Sequence, residues 1–135
     1  MKHFKLIITG KPQTKQRPRV TKRGTYTPQE TIDYEERLKW EFKIQVKNWI
    51  VEAGQIDLTI NAYMPIPKSE TKAFKEQCKN DTEEHLKRPD IDNIAKIVAD
   101  GLNNVAWLDD SQICDFHSKK RYSANPRLEI FCKLI

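Results

Sequence analysis

No apolar run in this 135-residue chain approaches the ~18–20 residues needed to cross a bilayer. Met1–Lys11 also lacks the long apolar stretch of a signal peptide. Membrane, secreted and fibrous classes fit poorly, and a cytoplasmic protein with no membrane partner is expected. Cysteine is scarce: Cys78, Cys114 and Cys132 are odd in number and contain no CxxC pair, which argues against a disulfide framework or a zinc finger. His3, His85 and His117 are far apart, with no HxxxH or HxH spacing for zinc. Ser111 stands near His117 but in no nucleophile motif. No internal repeat, low-complexity tract or long linker divides the chain, and its length matches one domain, residues 1–135. With 38% hydrophobic and 32% charged residues it is polar, but its apolar periodicity excludes wholesale disorder.

Acid is absent from residues 1–29, where eight basic residues stand alone: Lys2, Lys5, Lys11, Lys15, Arg17, Arg19, Lys22 and Arg23. The net charge is +5, so the other 106 residues sum to −3. Residues 81–116 are the acidic counterpart, with nine carboxylates against Lys87, Arg88 and Lys96. A basic run is often only a solvated face. Here Gln16-Arg17-Pro18-Arg19 lies between an apolar strand and a Gly24 turn, the form of a structured loop that a phosphate backbone would recognise. Lys11, Lys15, Arg17 and Arg19 are the candidate phosphate contacts.

The local patterns give strands and helices in a definite order. Phe4–Ile8 reads as a strand stopped by Gly10-Lys11-Pro12, and Arg17–Thr21 with Gly24–Thr27 as a hairpin or extended loop. Thr27 as N-cap, Pro28 and Glu30 predict a helix running to about Trp49, with Ile32, Leu38, Phe42, Val46 and Trp49 on its apolar side. Ile56, Leu58, Ile60 and Ala62 alternate with polar residues as a half-buried strand closed by Pro65 and Pro67. Residues 68–80 suit a short polar helix. A second main helix follows Pro89, with Asp90 as N-cap and Ile94, Ala95, Val98, Leu102 and Val105 on one arc. A turn at Asn103–Asn104 and strands Ile113–Arg121 and Leu128–Leu134 complete an α+β domain with two main helices. Trp40, Trp49 and Trp107 fit apolar helix faces.

The chemistry concentrates around the second helix. Asp92, Lys96 and Asp100 form a stripe at i, i+4 and i+8, and Asp109-Asp110 follows after a short turn. Each carboxylate alone has an ordinary explanation: Asp90 as a cap, Asp92 at the positive end of a helix and in a pair with Lys96. If the chain reverses and brings the second pair back to the helix start, the converging carboxylates repel unless a cation sits between them. Oxygen ligands at that density favour Mg²⁺ or Mn²⁺ over Zn²⁺. Such a metal beside a basic surface suits phosphodiester hydrolysis, with Lys96 adding positive charge at the phosphorus.

The string Arg88-Pro89-Asp90-x-Asp92-Asn93-x-x-Lys96-x-x-x-Asp100-Gly101-Leu102, followed by Leu108-Asp109-Asp110-Ser111-Gln112, resembles the RusA family of Holliday junction resolvases. Gly10-Lys11-Pro12, Lys15-Gln16-Arg17-Pro18-Arg19 and Tyr26-Thr27-Pro28 resemble the same family's opening, so the likeness spans nearly the whole chain. It implies a small homodimer with a mixed sheet that binds four-way or branched DNA. It also implies paired, Mg²⁺-dependent nicking of the junction, with no organic cofactor. On this resemblance the essential aspartates, and metal ligands, are Asp90, Asp92 and Asp110, with Asp109 the adjacent alternative. Lys96 is the functional lysine, acting in catalysis and DNA contact, and Asp100 is capping or structural. Two other readings compete: a less selective metal nuclease on flap or branched DNA, and a non-catalytic nucleic-acid-binding module.

Overall fold

A computed structural model describes residues 2–135; Met1 lies outside the described residues. Six strands and three α-helices follow in the order β1 (Lys2–Thr9), β2 (Arg19–Thr21), β3 (Gly24–Tyr26), α1 (Gln29–Gln45), β4 (Ile56–Pro65), α2 (Lys72–Gln77), α3 (Ile91–Gly101), β5 (Ile113–Ser123) and β6 (Arg127–Leu134), with a 3-10 turn, Asp110–Gln112, just before β5. The α+β class and the mixed sheet are both present. The main sheet has the order β1-β6-β4-β5, antiparallel except for the β4–β5 pair. A parallel pair needs a crossover connection, and the segment carrying α2 and α3 supplies it. None of the helices is long and apolar enough to cross a membrane among the described residues.

Period-two patterning builds the sheet. Phe4, Leu6 and Ile8 of β1, Ile56 through Met64 at every second position of β4, and Leu128, Ile130, Cys132 and Leu134 of β6 are all buried on one face. That face packs against Tyr34, Leu38 and Phe42 of α1 and Ile94, Ile97 and Val98 of α3. Burying each such side chain contributes roughly 1.5–3 kcal/mol. The two helices meet at Gly101, where a methyl group would stand 2.8 Å from Leu38 Cδ1 and 3.4 Å from the Glu35 Cα. A side chain there would have to displace Leu38 and would press on the Glu35 backbone, so glycine lets α3 lie close against α1.

Three local expectations change. Pro28, rather than Thr27, occupies the cap position of α1, its carbonyl accepting from the amides of Thr31 and Ile32. Ile32 is exposed, and Thr31 and Tyr34 take the buried side instead. The helix ends at Gln45, four residues before Trp49, because Val46 turns extended and Asn48 adopts a positive φ of 59°. Trp49 still joins the core, edge-on to Phe4 at 4.8 Å, with its indole N–H donating to the Ala106 carbonyl at 2.8 Å. Helical spacing beyond Gln45 was therefore core patterning on a loop. Trp107 is fully buried as expected, whereas Trp40 is 64% exposed on the outer side of α1.

Candidate active site

The basic loop between β1 and β2 is fastened to both helices. The Lys15 amide donates to the Asn93 carbonyl at 3.1 Å, and the Gln16 amide to Thr31 Oγ1 at 3.2 Å. Lys15 turns inward: its ammonium lies 2.9 Å from Glu35 Oε1 and 3.3 Å from Asp100 Oδ2. Partial burial works against that charge, but the two carboxylates outweigh it and raise the Lys15 pKa. Lys15 thus ties the loop to α1 and α3. Lys11 stays exposed and, with Thr14, Arg88, Pro89, Asp90 and Asn93, lines a cavity of about 500 Å³. Arg17 and Arg19 are exposed on the β2–β3 hairpin and its approach, where every strand residue is exposed.

A second cavity, of about 460 Å³, also opens at the α3 N-terminus and is lined by Glu84, His85, Leu86, Asp90, Ile91, Asp92 and Ser118–Arg121. Asp90 and Asp92 share this wall, and neither is occupied structurally. Asp90 sits at the N-cap position but its side chain makes no capping hydrogen bond. The expected Asp92–Lys96 ion pair is not formed: among the described residues neither side chain takes part in a salt bridge. Lys96 is exposed one turn beyond Asp92 and lines neither cavity. Two solvated carboxylates without partners are a fit for Mg²⁺, which takes one or two carboxylates and keeps several waters or phosphate oxygens.

The rear wall contains groups that the motif reading passed over. Lys120 donates to the Lys87 and Pro89 carbonyls, both at 2.6 Å, and so clamps the segment that enters α3; the Arg88–Pro89 bond within it is cis. His85 is buried against Tyr122, ring centroids 4.7 Å apart, and its pKa is lowered by burial and then by the Lys120 charge. The signal for this wall was the Lys119-Lys120-Arg121 triplet inside a strand, which alternation assigns to the two faces of the sheet.

Asp110 lies elsewhere. Its carboxyl pKa is raised first by partial burial, then by Asp109, with Asp100 adding to the repulsion. Asp110 lines neither cavity at the start of α3, where Asp90 and Asp92 stand, about 12 Å of helix away from Asp100. Asp109 is held low, chiefly by the hydrogen bond from Ser111 Oγ. Gln112 fixes this turn: its Oε1 accepts from the Leu108 and Asp109 amides at 2.8 and 3.2 Å, and its Nε2 donates to the Glu52 and Gly54 carbonyls at 2.9 and 3.0 Å. The Asp109-x-x-Gln112 spacing of a capping box marks it in the sequence. Trp107, donating to the Ala99 carbonyl at 3.1 Å, anchors the connection from α3. Among the described residues, no group of three or more His, Cys, Asp or Glu side chains is placed to hold a metal ion. The chain does reverse after α3, but the three aspartates do not converge within it.

The family model of the endodeoxyribonuclease RusA matches residues 9–133, and the chain belongs to that family. A relative from Bacillus subtilis (strain 168), described as uncharacterized protein YqaN, is 35% identical over 82 residues, covering 59% of this chain and 58% of that protein. The match thus spans little more than half of the relative's length.

Proposed function

We propose that residues 1–135 form one catalytic domain, a homodimer in the cytoplasm, that resolves Holliday junctions in recombination and repair by paired, Mg²⁺-dependent nicking. One observation carries this reading: Asp90 and Asp92, free of structural partners, share a cavity with Lys119, Lys120 and Arg121 beside the docked basic loop. Asp90 and Asp92 would hold the metal, with Asp110 as a third ligand brought by the second copy of the homodimer, since the three do not converge within one chain; Mn²⁺ is the natural substitute. Bound there, the ion supplies an activated water and neutralises phosphate charge.

The chain's own residues do the rest. Arg17 and Arg19, exposed on a projecting hairpin, grip phosphates, and Lys11 adds a third contact next to Asp90. Lys96 is exposed on the same helix as Asp92, a turn away, and is the mobile cation for a scissile phosphate. Lys15 is committed to Glu35 and Asp100, and its part is to hold the loop in place. A two-fold dimer suits a two-fold junction, one site for each of two symmetry-related strands.

The test is cleavage of labelled four-way junction, flap and linear duplex with Mg²⁺ and with chelator. Junction cutting well above the other two, abolished by chelator, is the predicted result. Equal rates on all three would favour the less selective nuclease, and binding without cutting would reject catalysis.

A further inference from the structure

A third cavity, of about 270 Å³, stands next to the two that border Asp90, and its walls are of two kinds. Buried Met64 and Tyr122 make an apolar floor with half-buried Ile66 at the side, and exposed Lys11, Lys87 and Arg88 make a cationic rim. No carboxylate lines it, in contrast to both cavities that share Asp90. His85 lines it too; it is 8% exposed, and its Nδ1 has no hydrogen-bond partner. The occupant that suits these walls has apolar faces, a polar edge and a negative charge. A single nucleotide taken out of its stack has that make-up. A volume under the ~300–1,000 Å³ of most small-molecule pockets limits the occupant to about one base.

The cavity adjoins the proposed cleavage site. It shares His85 with the Asp90/Asp92 cavity, and Lys11 and Arg88 with the other cavity that Asp90 borders. Leu86 stands at the same place and, at 86%, is the most exposed large apolar side chain among the described residues. A lone exposed leucine is ordinary on a protein surface, but this one is carried on fixed backbone. The His85 amide before it donates to the Lys120 carbonyl at 3.2 Å, and the Lys87 carbonyl after it accepts from Lys120 Nζ at 2.6 Å. Lys120 thus grips both neighbours of Leu86. Leu86 lines the Asp90/Asp92 cavity, whereas Lys87 and Arg88, next in sequence, line the smaller one. An apolar side chain presented rigidly beside a space for one base meets both needs of unstacking. The side chain fills the gap left in the stack, and the displaced base finds a site.

We propose that Leu86 inserts between bases at the point of strand exchange, and that the cavity of Ile66, Tyr122 and His85 receives the base it displaces, with the nucleotide's phosphate on Lys11, Lys87 and Arg88. This site rests on the branched-DNA reading above and gives it a source of selectivity. Unstacking costs least where pairing is already interrupted, so a branch point is favoured over continuous duplex.

A four-way junction carrying, at the exchange point, a fluorescent base analogue that stacking quenches reports the opening directly. Read in chelator, so that no strand is cut, the fluorescence should rise on binding wild type. Leu86→Ala, and Ile66→Trp, which fills the cavity, should bind with the signal left near that of free DNA and with Tm unchanged. In Mg²⁺, Leu86→Ala should nick a fully paired junction about tenfold more slowly than wild type, an unstacked step being worth at least that factor. On a junction mismatched at the exchange point it should approach the wild-type rate. Wild-type binding with no rise, a full rise in either variant, or an equal loss of nicking on paired and mismatched junctions would overturn the wedge and its pocket while leaving the nuclease reading intact. Binding without cutting removes the nuclease reading and leaves the fluorescence to decide the wedge. A wild type that binds no junction overturns both.

Discussion

Replacing Lys15 by Met tests how the basic loop is held. The ammonium joins Glu35 of α1 and Asp100 of α3 at 2.9 and 3.3 Å, and the three side chains keep only 23%, 16% and 27% of their exposure. An exposed pair contributes at most ~1 kcal/mol. Removing one partner of a fully buried pair costs ~3–5 kcal/mol, because the other charge is left unpaired. The intermediate burial here gives about 2 kcal/mol. Unfolding entropy of ~2.1 cal/mol/K per residue over the whole chain then gives a fall in Tm of about 7 °C. The sign of the raised pKa agrees: the stabilisation is present below the ordinary lysine value and lost as pH rises through the raised one. Thermal and urea unfolding of Lys15→Met, Glu35→Gln and the double variant measure it, and the double should be less destabilised than the sum of the singles. A loss under ~0.5 kcal/mol, or strict additivity, would refute the argument that these ion pairs anchor the loop.

The exposed arginines predict the opposite pattern. Arg17→Gln with Arg19→Gln should leave Tm unchanged but weaken junction binding and reduce the slope of log affinity against log salt by roughly 2; an unchanged slope in a salt titration would place the hairpin away from DNA. Gly101→Val should destabilise by ~1–3 kcal/mol in denaturant unfolding, because its side chain meets Leu38 and the Glu35 backbone at the helix crossing. His85 has a lowered pKa, so stability is present above the unfolded value of ~6.5 and is lost as pH falls through the folded one. In unfolding measured from pH 7.5 to 5, His85→Gln should flatten that acid limb; an unaltered limb would mean that other groups cause it.

Elements whose local pattern and tertiary role agree were legible in the sequence. The alternation of Ile56, Leu58, Ile60 and Ala62 gave β4, and the Pro89–Asp90 start gave α3 within a residue. The end of α1 was misread because Val46 and Trp49 keep the helical spacing of apolar residues while the backbone turns away to bring Trp49 onto Phe4. Charge was legible as a total but not as a partner list. Lys15 looked like Arg17 and Arg19, and only the packing of α1 against α3 reveals the Glu35–Asp100 pair that claims it. Spacing also suggested Asp92–Lys96, which the structure leaves apart. The motif located the aspartates along the chain, but their separation follows from the path of α3. Its start lines a cavity with Ser118–Arg121, and Asp110 follows its end only after the turn that leads into β5.

On the proposed reading, Asp90 and Asp92 are kept free of structural work in order to act on DNA. Cleavage and binding of a labelled four-way junction by Asp92→Asn, measured side by side with wild type in Mg²⁺, test it most directly. Loss of nicking by at least about a hundredfold, with junction affinity retained and Tm unchanged, is the predicted result; nicking at the wild-type rate would contradict it.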